Sequence, residues 1–125
     1  MAPTPQAKGP PIKPEPATEL AGFYSVQGKD GKNAYGGVVC VLQVRNTYII
    51  QWALVDYSYV GVGMKQGDWL VIGWVLEGQK SDIKGCHLMK IQAGGKLAGT
   101  WIGLPGAGAP QPEEWTFLRP LPKGE

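Results

Sequence analysis

Reactive side chains are scarce in this chain. It carries one histidine, His87, two cysteines, Cys40 and Cys86, and two phenylalanines, and its 12 lysines and arginines against 10 aspartates and glutamates leave a net charge of +2. Those charges are spread without blocks, so nothing resembles the basic patch that a phosphate backbone requires, and no nucleic-acid partner is expected. No apolar run approaches the roughly 18 to 20 residues of a membrane span; the longest are broken by Gln51, Asp56 or Gly73, and no span is expected. The N-terminus lacks a charged start followed by an apolar core, so as written it carries no export signal. Met1-Ala2 ahead of a proline-rich tract also fits a mature exported protein, which favours export or the cell envelope in that case and the cytoplasm otherwise.

The same scarcity thins out the chemistry. Zinc takes three or four Cys, His or carboxylate ligands at related spacings, and two cysteines with one histidine do not supply them, so neither a metal nor a cofactor is expected. Cys86 and His87 are adjacent, and neighbours on a strand point to opposite faces, which prevents a thiol and base pair. Cys40 could face His87 across a barrel, but no third group is evident to orient them. One Cys40–Cys86 disulfide is conceivable, yet a core of this size does not need it. Glu113 and Glu114 are separated across the sheet by the same alternation, which spoils a glycosidase-like pair. Gly61-Val-Gly63-Met-Lys-Gln-Gly67 has glycines near phosphate-loop spacing but no following helix to hold the anion. No catalytic residue is assigned, and an enzyme is not the expectation.

What the chain does have is glycine, 19 residues, proline, 11, and five each of tryptophan and tyrosine. Tyr48-Ile49-Ile50-Gln51-Trp52 and Leu70-Val71-Ile72-Gly73-Trp74 place large apolar groups at every second position, the mark of a half-buried strand. Further extended runs are Gly22 to Gln27, Ala34 to Arg45, Tyr57 to Met64, Cys86 to Gln92, Leu97 to Trp101 and Glu113 to Leu118. Asp30-Gly31 is the strongest hairpin signal between them, and Gly36-Gly37 predicts a bulge or sharp bend. On the sixth run His87, Met89 and Ile91 share a face; on the seventh, Leu97, Gly99 and Trp101 do. No helical period of useful length occurs. About eight short strands joined mostly by tight turns predict a single all-β domain over residues 19–125, an antiparallel up-and-down barrel. Residues 1–18, with Pro3, Pro5, Pro10, Pro11, Pro14 and Pro16, read as a stiff extended arm. Within it, Lys8-Gly-Pro-Pro11-Ile-Lys-Pro14 matches the pattern accepted by polyproline-binding domains.

The blocks Tyr35-Gly-Gly-Val-Val, Tyr48-Ile-Ile-Gln-Trp52, Tyr59-Val-Gly-Val-Gly63, Leu97-Ala-Gly-Thr-Trp101 and Glu114-Trp115 resemble a family of small bacterial all-β domains of exported or envelope proteins. The likeness covers about residues 20 to 119 and implies fold only, because that family has no established activity. In architecture alone the order of strands also looks like avidins and lipocalins, whose characteristic blocks are not reproduced.

Function therefore rests on the aromatic set, since stacking surfaces with polar handles suit sugar, peptide and interface sites, although barrels also bury aromatics as core. Two readings stand. In the first, the chain is a non-enzymatic binding or assembly module, contacting a protein partner or a second copy through the barrel surface and the arm, with Tyr57, Tyr59 and Trp69 outside the core. In the second it carries a small ligand in a barrel mouth lined by some of Tyr48, Trp52, Trp74, Trp101 and His87.

Overall fold

A computed structural model describes residues 20–78, 82–106 and 108–122; the arm read over residues 1–18 lies outside them. Eight strands follow in order: β1 (Gly22–Asp30), β2 (Asn33–Val44), β3 (Thr47–Leu54), β4 (Ser58–Gln66), β5 (Trp69–Leu76), β6 (Lys84–Gln92), β7 (Lys96–Leu104) and β8 (Gln111–Arg119). Each pairs antiparallel with the next and β8 returns to β1, so the sheet is the closed up-and-down barrel that the alternation predicts. Closure pairs both edges of the sheet and leaves no open ladder. Among the described residues no helix is long and apolar enough to cross a membrane.

Alternation decides what lies inside. Tyr24, Val26, Val39, Val41, Ile50, Leu70, Ile72, Met89, Leu97 and Trp115 are all fully buried, each adding about 1.5–3 kcal/mol of hydrophobic stabilisation. Cys40 falls between Val39 and Val41 and so faces outward, as does Cys86, and both are free. Cys40 therefore does not face His87 across the interior, and the two cysteines are not bonded to each other.

Two local expectations also change. The turn after β1 is tighter than the composition of Gly28 to Asn33 suggests: Gly28 and Lys29 stay in the ladder opposite Tyr35 and Ala34, leaving Gly31, at φ 67°, and Lys32 to reverse the chain. Of the two alternatives expected at Gly36-Gly37, a bulge or a sharp bend, the bulge is absent, since the β1–β2 register runs through both residues without a shift. Gly37 is small for a packing reason instead: a side chain there would meet the Ala53 carbonyl and the Leu54 side chain. The irregularity lies where β1 meets β8, between Phe23 and Tyr24.

The barrel has two distinct ends. The β1–β2, β3–β4, β5–β6 and β7–β8 connections surround one, here termed the mouth; Leu20 and the remaining turns lie at the other, the base.

Candidate functional site

Near the mouth the interior changes from aliphatic to aromatic and polar. On β8 Glu113 and Trp115 alternate inward while Glu114 points out, which puts a carboxylate with 3% exposure inside the barrel. An unpaired charge there would cost several kcal/mol. Instead its Oε2 accepts from Trp115 Nε1 at 2.7 Å and Trp52 Nε1 at 3.0 Å, and its Oε1 accepts from the Tyr35 hydroxyl. His87 Nε2 lies 3.0 Å from the same Oε2 without the geometry of a regular hydrogen bond.

These neighbours fix the protonation states. Burial pushes the Glu113 carboxyl up, but the His87 contact and charge, with Trp115 and Tyr35 donating, outweigh it and hold Glu113 below the usual carboxylate range. Burial, then the Glu113 charge and hydrogen bond, drives the Tyr35 phenol far above its ordinary value. Tyr35 thus remains a donor and Glu113 an ionised acceptor over the working pH range.

Above this carboxylate the rings form a connected series. Tyr57 and Tyr59 are 6.5 Å apart between centroids, Tyr59 meets Trp74 edge-on at 5.1 Å, and Trp74 meets Trp101 at 6.2 Å. His87 stacks on Trp101 at 6.2 Å and sits 4.9 Å from Trp52. Missing side chains make this possible. A Cβ on Gly28 would collide with the Tyr35 phenol, and one on Gly85 with the Trp74 ring, so inward glycines give large rings room to fold across the barrel.

The rings do not fill the space they surround. A cavity of about 340 Å³ opens at the mouth, with Asp30, Asn33 and Tyr35 on one side, Leu54 to Tyr57 and Tyr59 on the other, and Trp52, Trp74, His87, Trp101 and Glu113 deeper. That is within the range of small-molecule sites. Among the nitrogens of its lining residues, Trp74 Nε1, Trp101 Nε1 and His87 Nδ1 are buried with no regular hydrogen bond in the protein, an uncommon state for polar atoms. Among the described residues no group of three or more His, Cys, Asp or Glu could hold a metal ion.

Of the residues singled out from sequence, Trp52, Trp74, Trp101, His87, Tyr57 and Tyr59 come together at this cavity. Tyr48 does not: four residues before Trp52 on β3, it is buried opposite Gly63 toward the base. Trp69 also lies apart, 38% exposed on the outside near the base, with the Lys90 ammonium 5.1 Å from its ring. Sequence reasoning overlooked Glu113, Tyr35, Asp30 and Asp56. For Glu113 the signal was present, because a residue two before an inward tryptophan on a strand shares its face.

A second recess, of about 460 Å³, lies at the base between Leu20, Tyr24, Leu97, Phe117 and Lys96. None of its described residues has a buried polar side-chain atom without a partner, and the Tyr24 hydroxyl donates to the Leu20 carbonyl at 2.8 Å.

No family model and no curated protein matches the sequence. Among solved structures the chain is similar to a redesigned β-barrel, mFAP1, bound to DFHBI, with a TM-score of 0.64 and 14% identity over 80% of this chain and 96% of that one. At that identity the likeness concerns the fold.

Proposed function

We propose that this protein is a non-catalytic barrel that takes up a small, flat, largely aromatic molecule end-on through its mouth. The observation that carries this reading is the cavity itself: aromatic walls, a floor made of the Glu113 network, and buried polar atoms that lack a partner. An unfilled space ringed by indoles and phenols forgoes contacts that a flat guest would restore, because ring faces left without neighbours lose dispersion energy. Carriage fits better than catalysis, since among the described residues the lining holds no serine, threonine, cysteine or lysine nucleophile and the Glu113 oxygens already accept from three side chains and lie against His87. The redesigned barrel of similar fold was solved with a small molecule bound, so this architecture tolerates a guest.

Differential scanning fluorimetry and native mass spectrometry against a library of small aromatic compounds test this. At least one should bind saturably with unit stoichiometry, and Tyr59→Ala should weaken it about tenfold while the barrel stays folded. Absence of saturable binding across the library would count against the reading.

The assembly reading retains one specific support. Met64, Val71 and Leu88 are in register side by side on the outside of β4, β5 and β6, with Val62 and Val75 nearby, and all but Val71 are clearly exposed. Exposed apolar patches of this kind mark interaction surfaces. Sedimentation velocity of the wild type against Leu88→Lys tests it: a concentration-dependent dimer that the substitution dissociates is the expected result.

A further inference from the structure

The charges around the mouth cavity are one-sided, and this bears on what enters it. Asp30 and Asp56 stand at the rim and Glu113 lies at the floor, while no lysine or arginine among the described residues lines the space. Lys29 and Lys32 flank Asp30 in sequence, yet neither borders the cavity. Among the described residues the one cationic candidate in the lining, His87, lies against Glu113. Among the described residues no lysine or arginine forms an ion pair with Asp30 or Asp56.

The backbone that carries each rim carboxylate is tied down. The Gly31 amide next to Asp30 donates to Gln111 Oε1 at 2.9 Å, tying the β1–β2 turn to β8, and the Leu54 amide donates to the Tyr57 carbonyl at 2.9 Å, closing the turn that carries Asp56. The field of Asp30 reaches the rings: after burial, it is among the causes that raise the Tyr35 and Tyr59 phenols. Negative charge next to exposed phenol faces is a setting that attracts cations, through the carboxylates and through the ring quadrupoles together.

We infer that the ligand is a flat aromatic compound bearing a positive charge, with the cationic group at the mouth between Asp30 and Asp56 against Tyr57 and Tyr59, and a hydrogen-bond acceptor at its inner end. The inner acceptor answers Trp74 Nε1, a donor that the protein leaves unpartnered although the residue is 8% exposed. A carboxylate or phosphate compound would meet Asp30 and Asp56 with like charge. This assignment rests on the ligand-binding reading above and narrows it.

The test uses three coumarins alike in all but one arm: trimethylammonium, its neutral isostere tert-butyl, and carboxylate. The lactone carbonyl serves as the inner acceptor, and fluorescence anisotropy titration of the full chain reads affinity. The cation should bind about tenfold more tightly than the neutral compound, the carboxylate more weakly than both, and the preference should shrink as salt rises. Asp30→Asn with Asp56→Asn, both exposed and so compatible with the fold, should bring the cation to the affinity of the neutral compound and leave that compound unchanged. Equal binding of the three, or preference for the carboxylate, would overturn the charge assignment while leaving a ligand-binding barrel. Failure of all three overturns the charge assignment too, and if the aromatic library also yields nothing, the ligand-binding reading falls with it.

Discussion

At the base, Leu70, Met89 and Leu97 pack to 2% exposure or less around Tyr24, whose hydroxyl is satisfied by the Leu20 carbonyl. At the mouth the same eight strands enclose an ionised carboxylate, a histidine, three indoles and a cavity. Both ends obey one alternation rule and one closure, so neither topology nor periodicity distinguishes them. The difference is the residue set at the upper inward positions, where glycines alternate with rings that reach over them, as Trp74 does over Gly85. Small-next-to-large packing leaves an aromatic-walled space that holds buried polar atoms without a partner, whereas the recess at the base holds none among the described residues. The mouth is the end where ring faces and buried polar atoms without a partner are left for something else to meet.

The sharpest way to break this contrast is to remove the charge. Glu113→Ala should cost about 3–5 kcal/mol, because Trp52, Trp115 and Tyr35 lose their common acceptor and His87 its carboxylate neighbour while remaining buried or half-buried; urea unfolding measures it. The pH dependence follows the same group. Its folded value is depressed, so its contribution is present above the ordinary carboxylate range and is lost as pH falls through that range toward the folded value. Glu113→Gln should therefore flatten the acid limb of the stability–pH curve, and an unchanged limb would place the acid sensitivity elsewhere.

At the base, Leu70→Ala should cost about 2–4 kcal/mol through cavity formation, with the acid limb unchanged, which separates an apolar plug from a charged floor. Gly85→Ala should cost about 1–3 kcal/mol by overpacking against Trp74 and the Ile102 carbonyl,, and should also weaken any mouth ligand by displacing that ring. Trp69→Ala, on the outer surface near the base, should change stability by about 0.5 kcal/mol or less and ligand affinity not at all; a marked loss of affinity would mean that binding is not confined to the mouth.

Part of this arrangement was legible in advance. Period-two patterning with glycine and proline punctuation specified strands, their number and their order, because alternation is a local property of an extended backbone. It also placed His87, Trp52, Trp74 and Trp101 inside. Tyr48 carried the same inward signal as Trp52, yet it lies deeper along β3, and patterning says which face a residue takes but not how far down the barrel it sits. Trp69 and Tyr57 were both legible as exposed, whereas Tyr59, read with them as outside the core, is half-buried and packs against it; the separation of Trp69 and Tyr57 onto opposite ends is set by where β4 and β5 begin and stop.

The amino-acid sequence alone determined that this chain is a ribbon of antiparallel hairpins with its bulky groups on one side, since each residue's face follows from its neighbours. Only the tertiary structure decided that Glu113 from β8, His87 from β6, Trp52 from β3 and Tyr35 from β2 converge, because register and closure bring together residues up to 78 positions apart in the chain. The same closure made Asp30 and Asp56, unremarked in their turns, the rim of one cavity. Charge shared across a space is a property of the closed barrel, and no single strand contains it.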